Sequence, residues 1–279
     1  MFRYGIAAAL AAAALGAPVE SQVPAAAPLA LTYADLADLA LTAPVAAHVR
    51  VDDATRLDAD EAPGLSPGKT RFYVEADVVS LIKGARGLPA RVRYLVDVAN
   101  ETNGRSPRLR DKSEFILLAA PVPGRPGELQ LVGPDAQLPY SAASADRLRA
   151  ILREAVRSDA PPAIVGIGRA FHVPGSLPGE SETQIFLLAS DQRPVSLTIL
   201  RRPGQAPAWA VSLTEIVDNA AAPPARDTLL WYRLACSLPR QLPAQSVAEA
   251  GPSEATAIAA DYRLVLDRLG PCVRNRRDS

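Results

Sequence analysis

The amino-terminal segment, taken together with the chain's two cysteines, constrains this protein more than any other feature. Arg3 is followed by an apolar run over residues 5–15, and the small residues Gly16 and Ala17 close it. A positive charge, a short apolar run and a small-residue exit are typical of a secretory signal peptide, which we expect to comprise residues 1–17. The run is shorter than the ~20 apolar residues that span a bilayer. We therefore expect an exported mature chain with no transmembrane segment.

The cysteines, Cys236 and Cys272, lie near the other end of the chain. Disulfides persist in oxidising compartments, so export would let this pair form a bond. Both residues are expected at carboxyl ends of helices. The bond therefore requires either a chain that turns back after Gly270 and Pro271 or helices that are not strictly antiparallel. It also requires α-carbons within about 7 Å of each other.

Composition indicates the source and excludes some partners. The 30 Lys and Arg residues include only three lysines, while alanine and proline are abundant. Arginine, alanine and proline have GC-rich codons, so we expect a high-GC bacterium and a periplasmic or secreted location. The formal net charge is zero, which argues against nucleic acid as a partner, because binding it requires a basic excess. With 48% hydrophobic residues, the chain can bury a substantial core.

The organisation of the chain predicts an α+β protein in two parts. Residues 18–30 are rich in proline and alanine and are expected to be a flexible linker, although signal cleavage near Ala27 is an alternative. Residues 31–158 are predicted to form a small OB-like antiparallel β-barrel with a closing helix. Residues 159–279 are predicted to form an antiparallel β-meander backed by a C-terminal helical hairpin. The boundary is placed at the proline break 158–162.

Alternation of apolar and polar residues predicts most of the strands. From Tyr33 onward the pattern is mostly of period two, which predicts strands at this point. The apolar segment Phe115–Leu118 is expected to be buried on both faces. Ser144 is predicted to cap the closing helix, since an apolar stripe at helical spacing follows it. The alternating apolar positions are Phe72, Val74, Ala76 and Val78; Val92, Tyr94, Val96 and Val98; Val165, Ile167, Phe171 and Val173; Ile185, Leu187 and Ala189; Val195, Leu197 and Ile199; Trp209, Val211 and Leu213.

Residues 70–133 resemble exported OB-type barrel domains of the netrin-like or metalloproteinase-inhibitor-like group, and the remainder resembles no named family. The matching segments are Ile82-Lys83-Gly84, Arg91 to Val98, Pro107-Arg108-Leu109-Arg110, Glu114 to Leu118 and Leu131-Val132-Gly133. The resemblance implies a five-stranded barrel used for binding. Inhibitors of that group act through an amino-terminal cysteine. This half has no cysteine, so proteinase inhibition is not carried over.

A basic loop between two predicted strands is the candidate binding site. It carries Arg105, Arg108, Arg110 and Lys112. Loops of this kind border the binding face of OB-type barrels, and they could receive an acidic peptide, a glycan or a phosphate. The alternative interpretation is a solvated loop that is rich in arginine because the genome is.

His172 is the candidate for a catalytic role. It could act as a general base, with Ser176 as nucleophile or with Glu180 and Glu182 as partners. The residues around Ser176 do not form the G-x-S-x-G pattern of a nucleophile elbow. A polar residue at a strand end is the favoured interpretation, and no catalytic residue is assigned.

The sequence predicts neither a metal ion nor a cofactor. His48 has Asp52 and Asp53 nearby, but there is no H-E-x-x-H motif and no closely spaced cysteine pair. Gly166-x-Gly168 lacks the third glycine of a dinucleotide site. These glycines are instead expected to let another group pack close to the sheet.

Three functional hypotheses follow from these observations. The leading one is an exported cell-envelope binding or interaction protein without catalytic activity. Its partner would be an envelope protein, a glycan or an anionic ligand. A carboxylate-based periplasmic hydrolase and a structural envelope component are the alternatives. A deep pocket with two facing carboxylates would favour the hydrolase, and an arginine-lined face would favour binding.

Overall fold

The computed structural model describes residues 31–214 and 222–276. The predicted signal peptide (1–17) and linker (18–30) therefore lie outside the described residues. From Leu31 onward the described chain forms one compact unit. Its mixed α+β class is as predicted. In chain order the elements are α1 (Tyr33–Thr42), β1 (Val45–Arg56), β2 (Lys69–Lys83), β3 (Arg91–Ala99), β4 (Glu114–Pro121), β5 (Glu128–Leu131), β6 (Gln137–Pro139), α2 (Ala142–Ala155), β7 (Ile164–Pro174), β8 (Ser181–Ala189), β9 (Val195–Arg201), β10 (Ala208–Ser212), α3 (Leu229–Ala235) and α4 (Pro252–Leu269).

Five strands close into a barrel. Their order is β1-β2-β3-β5-β4, and β4 returns to pair with β1, while β6 adds to β4. Four of the five pairings around the ring are antiparallel, as predicted, but β3 and β5 run parallel, with Arg93 opposite Glu128. β1 contains three register shifts against β2, the first between Ala46 and Ala47. Bulges of this kind bend a strand, which helps a sheet to close on itself.

Strand β4 separates two apolar layers. Leu117 and Ala119 point into the barrel and join its core. Ile116 and Leu118 point the other way and pack with α1 and α2. The predicted burial on both faces is therefore present, although Phe115 is only partly buried. This arrangement makes α1 and α2 a helical layer on one side of the barrel.

The expectation of period two from Tyr33 onward is wrong over the first ten residues, which form α1. Thr32 and Asp35 build a capping box, since the Thr32 hydroxyl accepts from the Asp35 N–H (3.1 Å) and the Asp35 carboxylate accepts from the Thr32 N–H (2.9 Å). Leu36 and Leu39, spaced as on one helical face, are buried. The two aspartates and three alanines of the helix obscured this helical period in the sequence.

The start of α2 lies three residues before the predicted position. Ser141 is the N-cap, and its hydroxyl accepts a hydrogen bond from the N–H of Ser144, the residue expected to be the cap (3.1 Å). The predicted boundary at 158–162 falls between α2 and β7. Within residues 31–214 and 222–276, no helix combines the length and apolar character needed to cross a bilayer.

The second sheet is an antiparallel meander in the order β10-β9-β8-β7. Its inner face packs against α3 and α4, and the core between them includes Ile185, Leu197, Trp209 and Trp231. The indole N–H of Trp231 donates to the Leu269 carbonyl oxygen (2.9 Å), which ties α3 to the end of α4. The opposite face of the sheet carries exposed side chains.

A disulfide joins Cys236 to Cys272, with the α-carbons 5.1 Å apart. Cys236 is the C-cap of α3, and α4 ends at Gly270. Gly270 has a φ of 70°, in the region that glycine adopts without strain, so the chain can turn back before Pro271. The expected turn after the second helix thus brings the two cysteines together.

The chain beyond Cys272 is held by Asp35, which is completely buried at the start of α1. The Asp35 carboxylate accepts hydrogen bonds from the backbone N–H groups of Thr32 (2.9 Å), Asn275 (3.0 Å) and Arg276 (3.2 Å). Burial alone would raise the pKa of Asp35, but these bonds outweigh it and hold the pKa below its ordinary value.

Two salt bridges extend this attachment. Arg274 pairs with Asp38 of α1 (2.6 Å), and Arg276 pairs with Asp135 through two nitrogens, at 2.6 and 2.8 Å. The hydrogen bond from Arg276 lowers the pKa of Asp135. Asp135 lies between β5 and β6, so the C-terminal segment binds both a helix and a loop of the barrel half.

Candidate functional site

The basic loop lies between β3 and β4, at one end of the barrel. All four of its predicted binding residues are exposed: Arg105, Arg108, Arg110 and Lys112. The loop is fixed at its end, because the Lys112 N–H donates to the Val51 carbonyl oxygen of β1 (2.8 Å). Lys112 has a φ of 64°, which marks a sharp turn into β4.

A cavity of about 490 Å³ lies beside this loop. Arg108 and Arg110 line it, and Leu109 between them packs against the barrel core, which turns its two neighbours outward. Arg56, from the end of β1, adds a third guanidinium that the sequence did not single out. Arg105 and Lys112 belong to the same loop but do not line the cavity. The structure thus gathers two of the four predicted residues and adds a third.

The cavity has a charged rim and an apolar floor. Its floor includes the buried ring of Phe72, and Asp111 is the one acidic residue that lines it. Within the described residues, no salt bridge involves Arg56, Arg108 or Arg110. Their side chains are therefore free to bind an anion from outside.

A larger groove of about 670 Å³ crosses β2, β3 and β5 on the outside of the barrel. Arg71 and Asp97 form a bidentate pair there, with nitrogen–oxygen distances of 2.6 and 2.8 Å. The hydrogen bond from Arg71 lowers the pKa of Asp97. Arg93 and the exposed Leu95 also line the groove. Because its strongest charges neutralise each other, this groove is less suited to a charged ligand than the barrel end.

His48 belongs to a local network of side chains on the barrel. Its ring stacks on Tyr140 at 3.7 Å, and its Nε2 lies 3.1 Å from a Glu114 oxygen. Hydrogen bonds from Arg50 and then from His48 lower the pKa of Glu114. Asp52, considered above as a ligand beside His48, pairs instead with an arginine (2.7 Å). In the part of the chain that the structure describes, no group of three potential metal ligands occurs.

His172 faces the interior of the second half, away from Ser176. Its Nδ1 lies 2.8 Å from the Thr183 hydroxyl, which donates to the buried carboxylate of Asp261. Because the single hydroxyl proton is used toward Asp261, Thr183 must accept from His172, which places a proton on Nδ1. Arg201 also donates to Asp261 (2.7 Å). This network ties strands β7, β8 and β9 to helix α4.

Gly166 and Gly168 of β7 allow the Leu188 side chain to pack closely against the strand. A Cβ on Gly166 or Gly168 would lie 3.3 to 3.5 Å from the Leu188 side chain of β8. Their bare backbones therefore give Leu188 room to lie across the sheet, as expected for close approach of another group.

A second cluster of charged residues lies at one end of the strands, on the outer face of the second sheet. A cavity of about 540 Å³ there is lined by acidic residues of the β7–β8 hairpin, Glu180 and Glu182, by Arg201 at the end of β9, and by Arg202. Phe171 provides part of its apolar floor. Glu180 accepts from a backbone N–H in its own hairpin, and no cation pairs with either glutamate in the described chain.

Comparison with known proteins does not name a relative: the chain matches no model of a protein family, and no curated protein matches it. The geometry alone therefore supports the candidate site. Charge clustering in the sequence locates the basic loop. The partners Arg56 and Asp261 could not be found that way, since they lie about 50 and 80 residues from Arg108 and Thr183 and only the fold brings them close.

Proposed function

We propose that this protein is an exported binding protein of the cell envelope, without catalytic activity, whose barrel end holds an anionic ligand or partner. The observation that carries the proposal is the cluster of Arg56, Arg108 and Arg110 around one cavity, with no carboxylate paired to any of them within the described residues. Three unpaired guanidinium groups repel one another, and an anion bound between them relieves that repulsion.

The chemistry of the cavity indicates the class of ligand. Guanidinium groups bind carboxylate, phosphate and sulfate groups through paired hydrogen bonds, more specifically than ammonium groups do. The floor formed by Phe72 and Leu109 can receive an apolar part of the same ligand. An acidic peptide or an anionic glycan combines such features better than a bare ion, which would leave the floor exposed to water.

The barrel type and the location belong to the same proposal. The strand order β1-β2-β3-β5-β4-β1 and a parallel β3–β5 pair support an OB-like barrel, in which loops at the barrel end border ligands. Packing of α3 and α4 on one sheet face supports a C-terminal helical hairpin. The disulfide and the leader-like segment 1–17 support a periplasmic or secreted location.

Binding of anionic probes to the mature, oxidised protein tests this function. Fluorescent poly-aspartate and a sulfated polysaccharide are titrated at low and at high salt. The triple variant R56Q/R108Q/R110Q is expected to lose at least tenfold in affinity for the better probe, about one decade for each 1.4 kcal/mol of lost contacts. It should also show a weaker dependence on salt, because fewer charges are neutralised on binding.

A matched control removes the same charge elsewhere. Arg147, Arg240 and Arg263 are exposed and form no salt bridge in the described chain. The variant R147Q/R240Q/R263Q should keep the affinity and the salt dependence of the parent. Equal losses in both triple variants would reduce the effect to net charge and would overturn the proposal. Turnover of a probe by the parent protein would favour the hydrolase hypothesis instead.

A further inference from the structure

The cavity between the β7–β8 hairpin and the end of β9, which we call the hairpin cavity, has no role in the function proposed above. Farther along the outer face of the same sheet, Ser196, Thr198 and Ser212 are only 6 to 8% exposed, so the sheet is covered there. At the hairpin end, Val173 and Leu200 remain 63 and 36% exposed and line the cavity. Its volume of about 540 Å³ lies within the range of small-molecule sites.

The two sides of the hairpin cavity carry opposite charges. Glu180 and Glu182 lie on the β8 side, and Arg202 directly follows β9. Arg201 also lines the cavity, but the buried carboxylate of Asp261 neutralises it, since Arg201 Nε donates to Asp261 (2.7 Å). Arg202 forms no ion pair in the described parts of the chain. The cavity thus presents carboxylates on one side and one unpaired guanidinium on the other.

The hairpin holds Glu180 away from Arg202. These two residues lie directly beyond the last residue pair of β8 and β9, where opposite charges ordinarily pair across the strands. Instead, the Glu180 carboxylate accepts from the Leu177 N–H (3.3 Å), and its side chain lies over the bare backbone of Gly175. A Cβ on Gly175 would collide with the Glu180 side chain. The glycine therefore helps to keep the two charges apart, with the cavity between them.

Apolar side chains and an amide lie between the charges. Phe171, Val173 and Leu200 give the hairpin cavity its apolar surface. The Gln184 amide donates from Nε2 to Glu182 (3.0 Å), which orients that carboxylate. The amide oxygen of Gln184 accepts no hydrogen bond from the residues that the structure describes, so it can accept an N–H group of a ligand.

We propose that the hairpin cavity binds a short peptide as a zwitterion. The amino-terminal ammonium of the peptide lies between Glu180 and Glu182, and its carboxylate pairs with Arg202. An apolar side chain of the peptide packs on Phe171, and a peptide N–H donates to Gln184. This second binding site does not depend on the anion site at the barrel end.

The strand geometry indicates the length of the peptide. Glu182 lies opposite Leu200, and Arg202 is two residues farther along the chain. Strands about 4.8 Å apart, with a rise of about 3.3 Å per residue, place the α-carbons of Glu182 and Arg202 about 8 Å apart. An extended chain spans up to about 3.5 Å per residue, so a dipeptide spans about 7 Å and a tripeptide about 10 Å. Peptides of two or three residues therefore match both charges, whereas a single amino acid spans about half of the distance.

Isothermal titration calorimetry of the mature, oxidised protein with the tripeptide Ala-Leu-Ala tests the site. We expect saturable binding with a Kd on the order of 100 µM. Acetylation of the amino terminus and amidation of the carboxyl terminus should each weaken binding about tenfold or more, because each removes one charge. Glu182→Gln and Arg202→Gln should have effects of the same size. Glu101→Gln and Arg263→Gln are the matched controls, since both residues are exposed and do not line the cavity, and they should keep the affinity of the parent.

Blocked peptides show which end each side chain holds. Glu182→Gln should change the affinity for the acetylated peptide by less than about twofold, because the ammonium that Glu182 binds is already absent. Arg202→Gln should likewise leave the affinity for the amidated peptide unchanged. Equal losses for free and blocked peptides in either variant would mean that the residue does not contact that terminus, and the proposal would be overturned.

Two further variants separate the hairpin cavity from other sites. Gly175→Ala should weaken binding of the free peptide, because the added Cβ displaces the Glu180 carboxylate. The barrel variant R56Q/R108Q/R110Q should bind the tripeptide as the parent does. No saturation up to about 1 mM peptide, equal affinity for the free and acetylated peptides, or loss of binding in the barrel variant would each refute a zwitterion site in this cavity.

Discussion

The barrel and the second sheet differ in what they leave on their outer faces. On the barrel, charged residues of β2 and β3 face outward and pair across strands, as Arg71 does with Asp97 and Arg91 with Asp77. On the second sheet, the corresponding outward positions of β7 and β8 hold Phe171, Phe186 and Leu188. In both regions the other side of these strands is buried in a hydrophobic core. Burial of that side therefore does not explain the difference between the outer faces.

The comparison separates two kinds of interaction within one chain. Several outward charges of the barrel pair across strands, whereas the three arginines around the cavity at the loop end lack carboxylate partners in the described structure. Strands β7 and β8 of the second sheet instead expose apolar side chains. Binding at the barrel end should therefore weaken as salt rises. The C-terminal segment holds the two regions together.

Loss of the disulfide is expected to have the largest effect on stability. The bond closes a loop with a sequence separation of 36, and the chain-entropy relation gives roughly 4 kcal/mol of stabilisation. The variant C236S/C272S should lose about that much free energy of unfolding, measured by urea denaturation. Reduction of the parent should reproduce the loss. A loss below about 1 kcal/mol would show that Asp35 and the two salt bridges hold the C-terminal segment without the bond.

Matched core substitutions test whether the two regions unfold together. Ile116 lies between the barrel and its helices, Ile185 lies between the second sheet and α4, and both are completely buried. Ile116→Ala and Ile185→Ala should each lower the free energy of unfolding by about 3 kcal/mol. Because α1, α3 and the C-terminal segment connect the regions, we expect one transition that shifts in both variants. Two separate transitions in calorimetry, each moved by one variant only, would contradict this.

The sequence predicted those strands in which buried and exposed residues alternate along the chain. Alternating residues such as Phe72, Val74 and Ala76 identify a strand because one side is buried and the other is not. The parallel β3–β5 pair and the bulges of β1 were not predictable in the same way. They depend on closure of the barrel, which joins segments far apart in sequence. The helix α1 was missed because alanines and aspartates blur its period.

Acid is expected to release the C-terminal segment. Hydrogen bonds hold the pKa of Asp35 and of Asp135 below their ordinary values, so the stability they contribute is present above about pH 3.9 and is lost as pH falls through the folded-state pKa. Asp35→Asn should cost about 1.5 kcal/mol at neutral pH, because charge-assisted hydrogen bonds are lost. The stability gap between parent and variant should narrow below about pH 4 in urea titrations. A gap that stays constant with pH would contradict this assignment.

The candidate site, like the fold, could be predicted from the sequence only where its residues are neighbours in the chain. Arg108 and Arg110 were found because charges cluster in one loop of the sequence. Arg56 is the last residue of β1 and has no charged neighbours of the same sign in the sequence. Only the pairing of its backbone with Phe72 on β2 brings it to the cavity. The exposed apolar side chains of β7 and β8 were not predicted for a related reason. Alternation marks two faces of a strand, but it does not say which is covered when both are apolar, as around Phe186.

Substitution of arginines on two surfaces of the barrel is expected to give the smallest changes in the free energy of unfolding. Arg71→Gln removes a bidentate, partly buried pair with Asp97 and should lower the free energy of unfolding by about 1 kcal/mol. The triple variant R105Q/R108Q/R110Q should change it by less than about 0.5 kcal/mol, because these side chains are exposed and form no salt bridge in the described chain. Urea denaturation of both variants, side by side, measures the contrast. If the triple variant were the less stable of the two, the loop arginines would be structural residues, and their role in anion binding would lose its support.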